Sequence, residues 1–138
     1  MQELKRVNFV IPKPPKGKER PRLTKRGQAY TPKPTKEYEK VVKESYLQVT
    51  DHVFEGAIKV TINAYHVIPQ KDSKTLRAGK LDGLIKATVK PDIDNVAKII
   101  LDGLNKVAYN DDNQVIQLYV NKQYGEVGKV VVTIEEVL

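Results

Sequence analysis

Two pairs of closely spaced aspartates are the side chains of this sequence best suited to catalysis. Asp92 and Asp94 are two residues apart and follow Pro91, which favours an extended segment in which both side chains point the same way. Asp111 and Asp112 come roughly four helical turns later and can return towards the first pair through a turn. Carboxylate oxygens suit Mg²⁺ or Mn²⁺. The pattern therefore predicts a divalent-metal site for phosphodiester chemistry.

A lysine shares the predicted helical face of Asp94. Within a helix at about residues 94–107, Lys98 comes four residues after Asp94, and Asp102 comes four residues after Lys98. The apolar stripe lies on the opposite side and consists of Val96, Ile99, Ile100, Leu101, Leu104 and Val107. The acidic cluster can therefore face solvent while the helix packs its other side.

The same aspartates have an ordinary structural interpretation. Asp92 or Asp94 can cap the helix, and Asp111 with Asp112 can form a turn. Lys98 can be a plain i,i+4 partner of either neighbouring acid. Capping needs only one carboxylate and gives no role to the lysine, but the residue pattern alone leaves both interpretations open.

The charge of the chain is unevenly distributed. Its net charge is +7, and residues 13–40 hold ten Lys or Arg and three acids, whereas residues 71–90 hold six and two. Residues 91–112 invert this balance, with two Lys and five Asp. Basic segments suit a polyanion because phosphate neutralisation releases counterions, although a charge of this size also serves solubility. The predicted phosphate contacts are Arg20, Arg22, Lys25, Arg26, Lys71, Lys74, Arg77 and Lys80.

Hydrophobic periodicity predicts one α+β domain over residues 1–138, with a mixed sheet, two helices and the order β-α-β-α-β-β. Strands are predicted at 4–11, 56–67, 114–124 and 129–137, and helices at 35–50 and 94–107. Thr35 is the predicted first N-cap, and Gly125 to Gly128 the predicted hairpin turn. Two long basic loops are predicted at 12–34 and 69–91.

Composition excludes several classes of protein. The sequence has no cysteine, so disulfides, thiolate metal sites and cysteine nucleophiles are excluded. It has no run of eighteen apolar residues, and residues 1–6 lack the apolar core of a signal peptide. We therefore expect a cytoplasmic protein, and its basic segments suit a place beside the nucleoid, where DNA is concentrated.

Two motifs carry a family resemblance. They are Lys90-Pro91-Asp92-Ile93-Asp94-Asn95-Val96-Ala97-Lys98 and Asn110-Asp111-Asp112-Asn113-Gln114-Val115. With residues 16–22, 29–32 and 122–125, they cover most of the chain and resemble the RusA family of Holliday-junction resolvases, in its phage-associated branch. The paired aspartate motifs are specific, and the basic N-terminal pieces moderately so.

The resemblance implies that Asp92, Asp94 and Asp112 are metal-binding catalytic carboxylates and that Lys98 is the catalytic lysine. In the second motif the later aspartate has the catalytic role, which favours Asp112. The spacing from helix to turn is one residue shorter than in the best-known family member, so Asp111 stays an alternative. The implied enzyme is an Mg²⁺-dependent homodimer that nicks four-way DNA junctions to leave 5′-phosphate and 3′-hydroxyl ends.

Two other functions compete with junction resolution. A nuclease of the same fold could prefer flaps or forks, which the sequence does not distinguish. A non-catalytic nucleic-acid-binding module would use the basic segments alone, with the aspartates as caps, and it would show no Mg²⁺- or Mn²⁺-dependent nicking.

Overall fold

The computed structural model of the protein describes residues 4–138, so the first three residues of the predicted domain lie outside the described residues. The strands are β1 (Arg6–Ile11), β2 (Arg22–Leu23), β3 (Ala29–Tyr30), β4 (Ile58–Val67), β5 (Val115–Gly125) and β6 (Lys129–Glu136). The helices are α1 (Lys33–Leu47), α2 (Lys74–Leu81) and α3 (Ile93–Leu104), and a 3₁₀ helix covers Asp112–Gln114. The predicted α+β class with a mixed sheet is confirmed.

The main sheet has four strands in the order β1-β6-β4-β5. β6 is antiparallel to both β1 and β4, whereas β5 is parallel to β4. β2 and β3 form a separate hairpin within the first basic segment. Because β4 and β5 run in the same direction, the turn before β5 lies beside the segment before β4, and Phe54 forms a β-bridge with Tyr109 there.

The core lies between one face of the sheet and the two helices α1 and α3. β4 alternates along its length, so that Ile58, Val60, Ile62 and Ala64 are buried and the residues between them are half-buried. The apolar residues of α1 and α3 join this cluster. The polar side of α3 is therefore left outside the core, as its amphipathic pattern predicts.

A glycine allows α1 and α3 to cross closely. A Cβ at Gly103 would lie 2.9 Å from the Cβ of Val42 and 3.1 Å from the backbone oxygen of Glu39. Both distances are shorter than ordinary van der Waals contact. The missing side chain at Gly103 therefore sets the separation of the two helices.

The first helix does not have the predicted bounds or cap. It covers Lys33–Leu47, with Pro32 at the N-cap position and Pro34 in the first turn, where backbone N–H groups have no helical partner. Thr35 is not the N-cap. Its side chain is buried, and its hydroxyl donates to Glu19 Oε1 at 2.9 Å.

The second basic loop contains a helix that the sequence prediction missed. α2 begins after Ser73, whose hydroxyl accepts a hydrogen bond from the Leu76 N–H at 3.2 Å. No residue of α2 is fully buried. With only eight residues, the helix is shorter than the stretch over which apolar periodicity can be recognised.

The predicted hairpin between the last two strands is wrong. β5 and β6 do not pair with each other, because β4 lies between them. Val130, Val132 and Ile134 of β6 are completely buried, as expected for a strand paired on both sides, whereas β5 lies at the sheet edge. A short connection by itself favours a hairpin. Here the burial of β6 in the centre of the sheet outweighs that preference.

Candidate active site

The first pair of aspartates lies where α3 begins. Asp92 is the N-cap residue and has the extended backbone that the sequence predicted, with φ −65° and ψ 149°. Its side chain makes no capping hydrogen bond. Asp94 is in the first turn, where a negative charge is favourable. Both residues are exposed, so helix capping does not occupy the Asp92 carboxylate.

A pocket of about 330 Å³ opens on the polar side of α3. Its wall includes the predicted metal-binding residues Asp94 and Asp112 and the predicted catalytic lysine, Lys98. The other lining residues are Ala97, Leu101, Asp102 and Leu118. The pocket therefore brings together the helix, the 3₁₀ helix that follows it and the edge strand β5.

Gln114 fixes the turn that carries Asp112. Its side-chain oxygen accepts from the backbone N–H groups of Asn110 and Asp111, at 2.8 and 3.1 Å. Its side-chain nitrogen donates to the backbone oxygens of Phe54 and Gly56, at 2.9 and 3.0 Å. A single side chain thus closes the turn and attaches it to the segment before β4.

Tyr109 anchors the same turn from below. It is completely buried, and its hydroxyl donates to the backbone oxygen of Leu101 in α3 at 2.6 Å. Burial raises the pKa of the Tyr109 hydroxyl, and the negative charges of Asp112 and Asp102 raise it further. Tyr109 therefore stays a neutral donor that ties the turn to α3.

The two adjacent aspartates of the turn have different positions. Asp112 is the first residue of the 3₁₀ helix and lies on the pocket wall, whereas Asp111 precedes that helix and does not line the pocket. Both are exposed. The position on the wall distinguishes Asp112 from Asp111, which the sequence left as alternatives.

The residues present fit a divalent cation in part. Asp92 is not on the pocket wall, and among residues 4–138 no group of three or more His, Cys, Asp or Glu side chains is arranged to hold a metal. The expected ligand set of three aspartates is therefore not preformed. Two exposed carboxylates on an open pocket still match Mg²⁺, which takes one or two protein carboxylates and keeps several waters.

An ion-pair network borders the pocket on the side of Asp102. Lys18 Nζ lies 2.7 Å from Glu39 Oε2 and 3.1 Å from Asp102 Oδ2, and Lys98 Nζ lies 3.6 Å from the same Asp102 oxygen. Burial by itself lowers the pKa of Lys18, but the hydrogen bonds to Glu39 and Asp102 more than offset this, so that its pKa is raised. Lys18 is thus a charged link between α1 and α3.

The first basic segment is fixed against the start of α3 by its backbone as well. The Lys18 N–H donates to the Asn95 backbone oxygen at 2.9 Å. A Cβ at Gly17 would lie 2.9 Å from the Cβ of Pro91 and 3.2 Å from that of Asn95. The segment therefore leaves the α3 surface in a defined direction, beside the two aspartates.

The predicted phosphate contacts occupy two separate surfaces. Arg20, Arg22, Lys25 and Arg26 are exposed on the first basic segment, where Arg22 makes only a 3.5 Å contact with Glu19. Lys71 and Lys74 are exposed at the start of the α2 region, and Arg77 is half-buried.

Lys80 differs from the other predicted phosphate contacts. Its ammonium group is paired with Asp72, and the side chains of the pair are 14% and 8% exposed. It also lies 4.8 Å from the centre of the Tyr124 ring on β5. Lys80 therefore attaches α2 to the sheet, and its charge is already neutralised.

Sequence reasoning did not single out Lys18 or the positioning roles of Gln114 and Tyr109. Gln114 and Tyr109 stand beside the second aspartate pair, which is a local signal. Lys18 acts on residues far along the chain, and nothing in its own neighbourhood indicates that it is paired while nearby basic residues are exposed.

Within the part of the chain that the structure describes, no helix is both long and apolar enough to span a bilayer.

Comparison with known proteins gives one curated relative and one family. An uncharacterized protein of Bacillus subtilis (strain 168), YqaN, is 37% identical over 87 residues, which are 62% of this chain and 61% of that protein. The chain thus spans about three-fifths of the length of this relative. The family described as Endodeoxyribonuclease RusA matches residues 12–135.

That match includes both aspartate motifs, the pocket between them and the first basic segment. It extends over all the helices, over β4 and β5, and over β6 except its last residue, whereas β1 precedes the matched residues. The chain belongs to the RusA family of endodeoxyribonucleases.

Proposed function

We propose that the protein is an Mg²⁺-dependent endonuclease that resolves four-way DNA junctions by paired nicks. The observation that carries this proposal is the pocket lined by Asp94, Lys98 and Asp112 in a chain of this family. Two carboxylates and an ammonium on one open pocket provide metal ligands beside a group that can stabilise a phosphate. Mn²⁺ has the same ligand preference and is expected to substitute.

The proposed ligands are Asp94, Asp112 and Asp92. Asp94 and Asp112 line the pocket, and the exposed Asp92 side chain, without a capping bond, is available to join them when the cation binds. When bound, the cation supplies Lewis acidity that makes water a better nucleophile and offsets charge on the phosphate.

Lys98 is the proposed electrostatic catalyst. Its side chain is 61% exposed and its ammonium lies 3.6 Å from Asp102, on the pocket wall. The ammonium would donate to a non-bridging oxygen of the scissile phosphate while charge accumulates there. Attack by water on phosphorus breaks the bond to the 3′ oxygen and leaves 5′-phosphate and 3′-hydroxyl ends.

The other predicted phosphate contacts, all exposed except the half-buried Arg77, are the proposed contacts to the junction arms. They are Arg20, Arg22, Lys25, Arg26, Lys71, Lys74 and Arg77. Contacts of this kind fix the position of the backbone and carry little sequence information. We leave Lys80 out of this set because it is paired with Asp72.

A homodimer is part of the proposal, because paired nicks need two active sites. The uncovered edge of β5 supports it: residues 113–121 have no charged side chain, and Ile116, Leu118 and Tyr119 are exposed. Uncharged edge strands of this length usually have a partner. Two copies of a chain with a net charge of +7 repel each other, and an uncharged contact surface avoids adding close contacts between like charges.

The dimer is tested by charge substitution on either edge of the sheet. Ile116→Lys with Tyr119→Lys should give a monomer in light scattering, because each copy then presents like charges to the other. The control is Val10→Lys on β1, at the opposite edge, where the valine is 48% exposed. An unchanged mass for the β5 variant, or a monomer from Val10→Lys, would place the contact elsewhere.

The function is tested by a substrate panel. Wild type and Asp94→Asn are incubated with four-way junction, flap, fork and duplex DNA, with Mg²⁺ or EDTA. The proposal predicts symmetrical nicking of the four-way junction by wild type with Mg²⁺ only, and binding without nicking by Asp94→Asn. Preferential cutting of flaps or forks would mean that the substrate is not the four-way junction. The absence of any metal-dependent nicking would mean that the protein is a DNA-binding module and not a nuclease.

A further inference from the structure

We infer that a lysine-lined groove between α1 and the end of α3 binds the phosphate backbone of a DNA arm next to the scissile phosphate. This inference rests on the proposed nuclease function, because it takes the substrate to be DNA. None of the residues that sequence analysis chose as phosphate contacts lies in this groove.

The groove has a volume of about 400 Å³ and carries four lysines, which are Lys36, Lys40, Lys43 and Lys106. The first three occupy α1 at intervals of four and three residues, so they lie on one face of the helix. Lys106 follows the end of α3. The close crossing of the helices at Gly103, which also lines the groove, brings these two sources of charge together.

The groove keeps a net positive charge, because it has four lysines and only two carboxylates, and those two share Lys18 as a partner. Glu39 and Asp102 line it, and both are paired with Lys18, whose side chain is 17% exposed. Lys36, Lys43 and Lys106 have no carboxylate partner within 4.0 Å anywhere in residues 4–138. Lys40 has only a 3.8 Å contact with Glu44 at the surface, which contributes little.

The groove is continuous with the candidate active site. Asp102 lines both the groove and the pocket that contains Asp94, Lys98 and Asp112. Asp94 and Asp102 are eight residues apart in α3, which is about 12 Å along the helix axis. A DNA strand rises about 3.4 Å per nucleotide, so the groove meets phosphates roughly three to four nucleotides from the scissile one.

The chemistry of the lining favours a phosphate backbone over a protein partner. Lysine is a flexible point charge that suits phosphates without demanding a fixed geometry. Among the residues that line the groove, Val107 has the one large apolar side chain, and it is half-buried. A stable protein interface, in contrast, needs an apolar centre.

The test compares junction binding by wild type and by the double variant Lys36→Gln and Lys43→Gln. Binding of a labelled four-way junction is measured in EDTA, so that no cutting occurs, over a range of salt concentrations. Losing two phosphate contacts should reduce the slope of log K against log salt by about two. With the two lines meeting at about 1 M salt, that slope difference makes binding weaker by about 60-fold at about 0.1 M salt.

The control is the double variant Lys5→Gln and Lys129→Gln, which removes the same charge from the sheet side of the molecule. Lys5 bonds through its backbone oxygen to Glu136, and Lys129 begins β6. This variant should keep nearly the wild-type slope. Equal slopes for the groove and control variants would overturn the inference, and equal melting temperatures would show that both variants are folded.

A second measurement locates the contact. Single neutral methylphosphonates are placed along the junction strand, and wild-type binding should weaken at positions about three to four nucleotides from the nicked phosphate. The groove variant should lose this position-specific effect. Interference that is identical in wild type and variant would contradict the groove.

The two proposals fail separately. If wild type nicks the junction with Mg²⁺ but the groove variant binds normally, the function stands and the groove is wrong. If the groove variant loses binding but wild type never nicks, the groove stands and the nuclease function is wrong. No binding of DNA by wild type would overturn both.

Discussion

Asp94 and Asp102 share one face of α3, two helical turns apart, but their surroundings differ. Asp94 is exposed, and no basic side chain within residues 4–138 lies within 4.0 Å of its carboxylate. Asp102 is half-buried and has Lys18 at 3.1 Å and Lys98 at 3.6 Å. The same residue type on the same helix therefore has two electrostatic states.

The difference separates a carboxylate left available to a cation from one neutralised by the protein. Asp94 shares its pocket with Asp112, and two acids on one pocket attract a divalent ion. Asp102 instead holds α3 to the first basic segment and to α1 through Lys18. The protein thus concentrates negative charge at one end of the helix and removes it at the other, where the lysine groove begins.

The largest expected effect concerns the carboxylates at the Asp94 end of α3, and it is tested on the second aspartate pair. Asp112→Asn removes a proposed ligand from the pocket, and we expect nicking to slow by on the order of 10³-fold, since metal-ion catalysis supplies several kcal/mol. Asp111→Asn should stay within tenfold of wild type. Single-turnover nicking of a four-way junction measures both, and the reverse ranking would assign the metal to Asp111.

The next effect concerns the lysine between the two aspartates. Lys98→Ala should slow nicking by on the order of 10²–10³-fold, because one preorganised donor to the phosphate is lost. Additional Mg²⁺ should not restore the rate, as Lys98 is not a metal ligand. Lys98→Arg, which keeps the charge, should lose less. Full recovery of Lys98→Ala at high Mg²⁺ would mean that the lysine acts through metal binding.

A smaller effect is expected at the other end of α3, where Asp102 is paired with Lys18. Lys18→Met leaves Glu39 and Asp102 without their shared partner, and we expect the free energy of unfolding to fall by about 1–3 kcal/mol at pH 7. The pKa of Lys18 is raised above its ordinary 10.5, so its contribution is fully present below that value and is lost as pH rises through the higher folded pKa. The stabilities of variant and wild type in urea unfolding should therefore converge as the pH rises through the folded pKa of Lys18, and equal stability at pH 7 would contradict the network.

The smallest effect is expected from Gly17, where the backbone of the first basic segment packs against the start of α3. Gly17→Ala places a Cβ 2.9 Å from Pro91 and should destabilise by about 1 kcal/mol, while shifting the neighbouring Lys18 away from Asp102. Gly56→Ala is the matched control, because a Cβ there meets nothing within 4 Å. Chemical denaturation should separate the two variants. Identical curves would mean that the first basic segment is not held closely against α3.

The sequence was sufficient where the controlling interactions are local. The amphipathic pattern predicted the polar side of α3, and the family motifs identified residues that the pocket brings together, namely Asp94, Lys98 and Asp112. Asp92 follows the prediction in backbone but does not line the pocket. These residues are linked by one helix and one turn, so their relative positions depend on few distant contacts.

Other features depend on contacts between distant parts of the chain. The ion pairs of Lys18 join residues 21 and 84 positions apart, and the lysine groove needs the crossing of α1 and α3 at Gly103. The placement of β6 between β1 and β4 depends on its pairing with both of these strands, and the short connection to β5 does not reveal this. Periodicity describes each element, but it does not specify which elements become neighbours.

One measurement tests the central claim directly, namely the rate of Mg²⁺-dependent junction nicking by Asp94→Asn beside Asp102→Asn. Both changes remove one negative charge from the same face of α3, and both are assayed with enzyme well above the dissociation constant. We predict that Asp94→Asn loses on the order of 10³-fold or more while Asp102→Asn stays within about tenfold of wild type. Nicking by Asp94→Asn at the wild-type rate, or a greater loss in Asp102→Asn, would contradict the assignment of the active site.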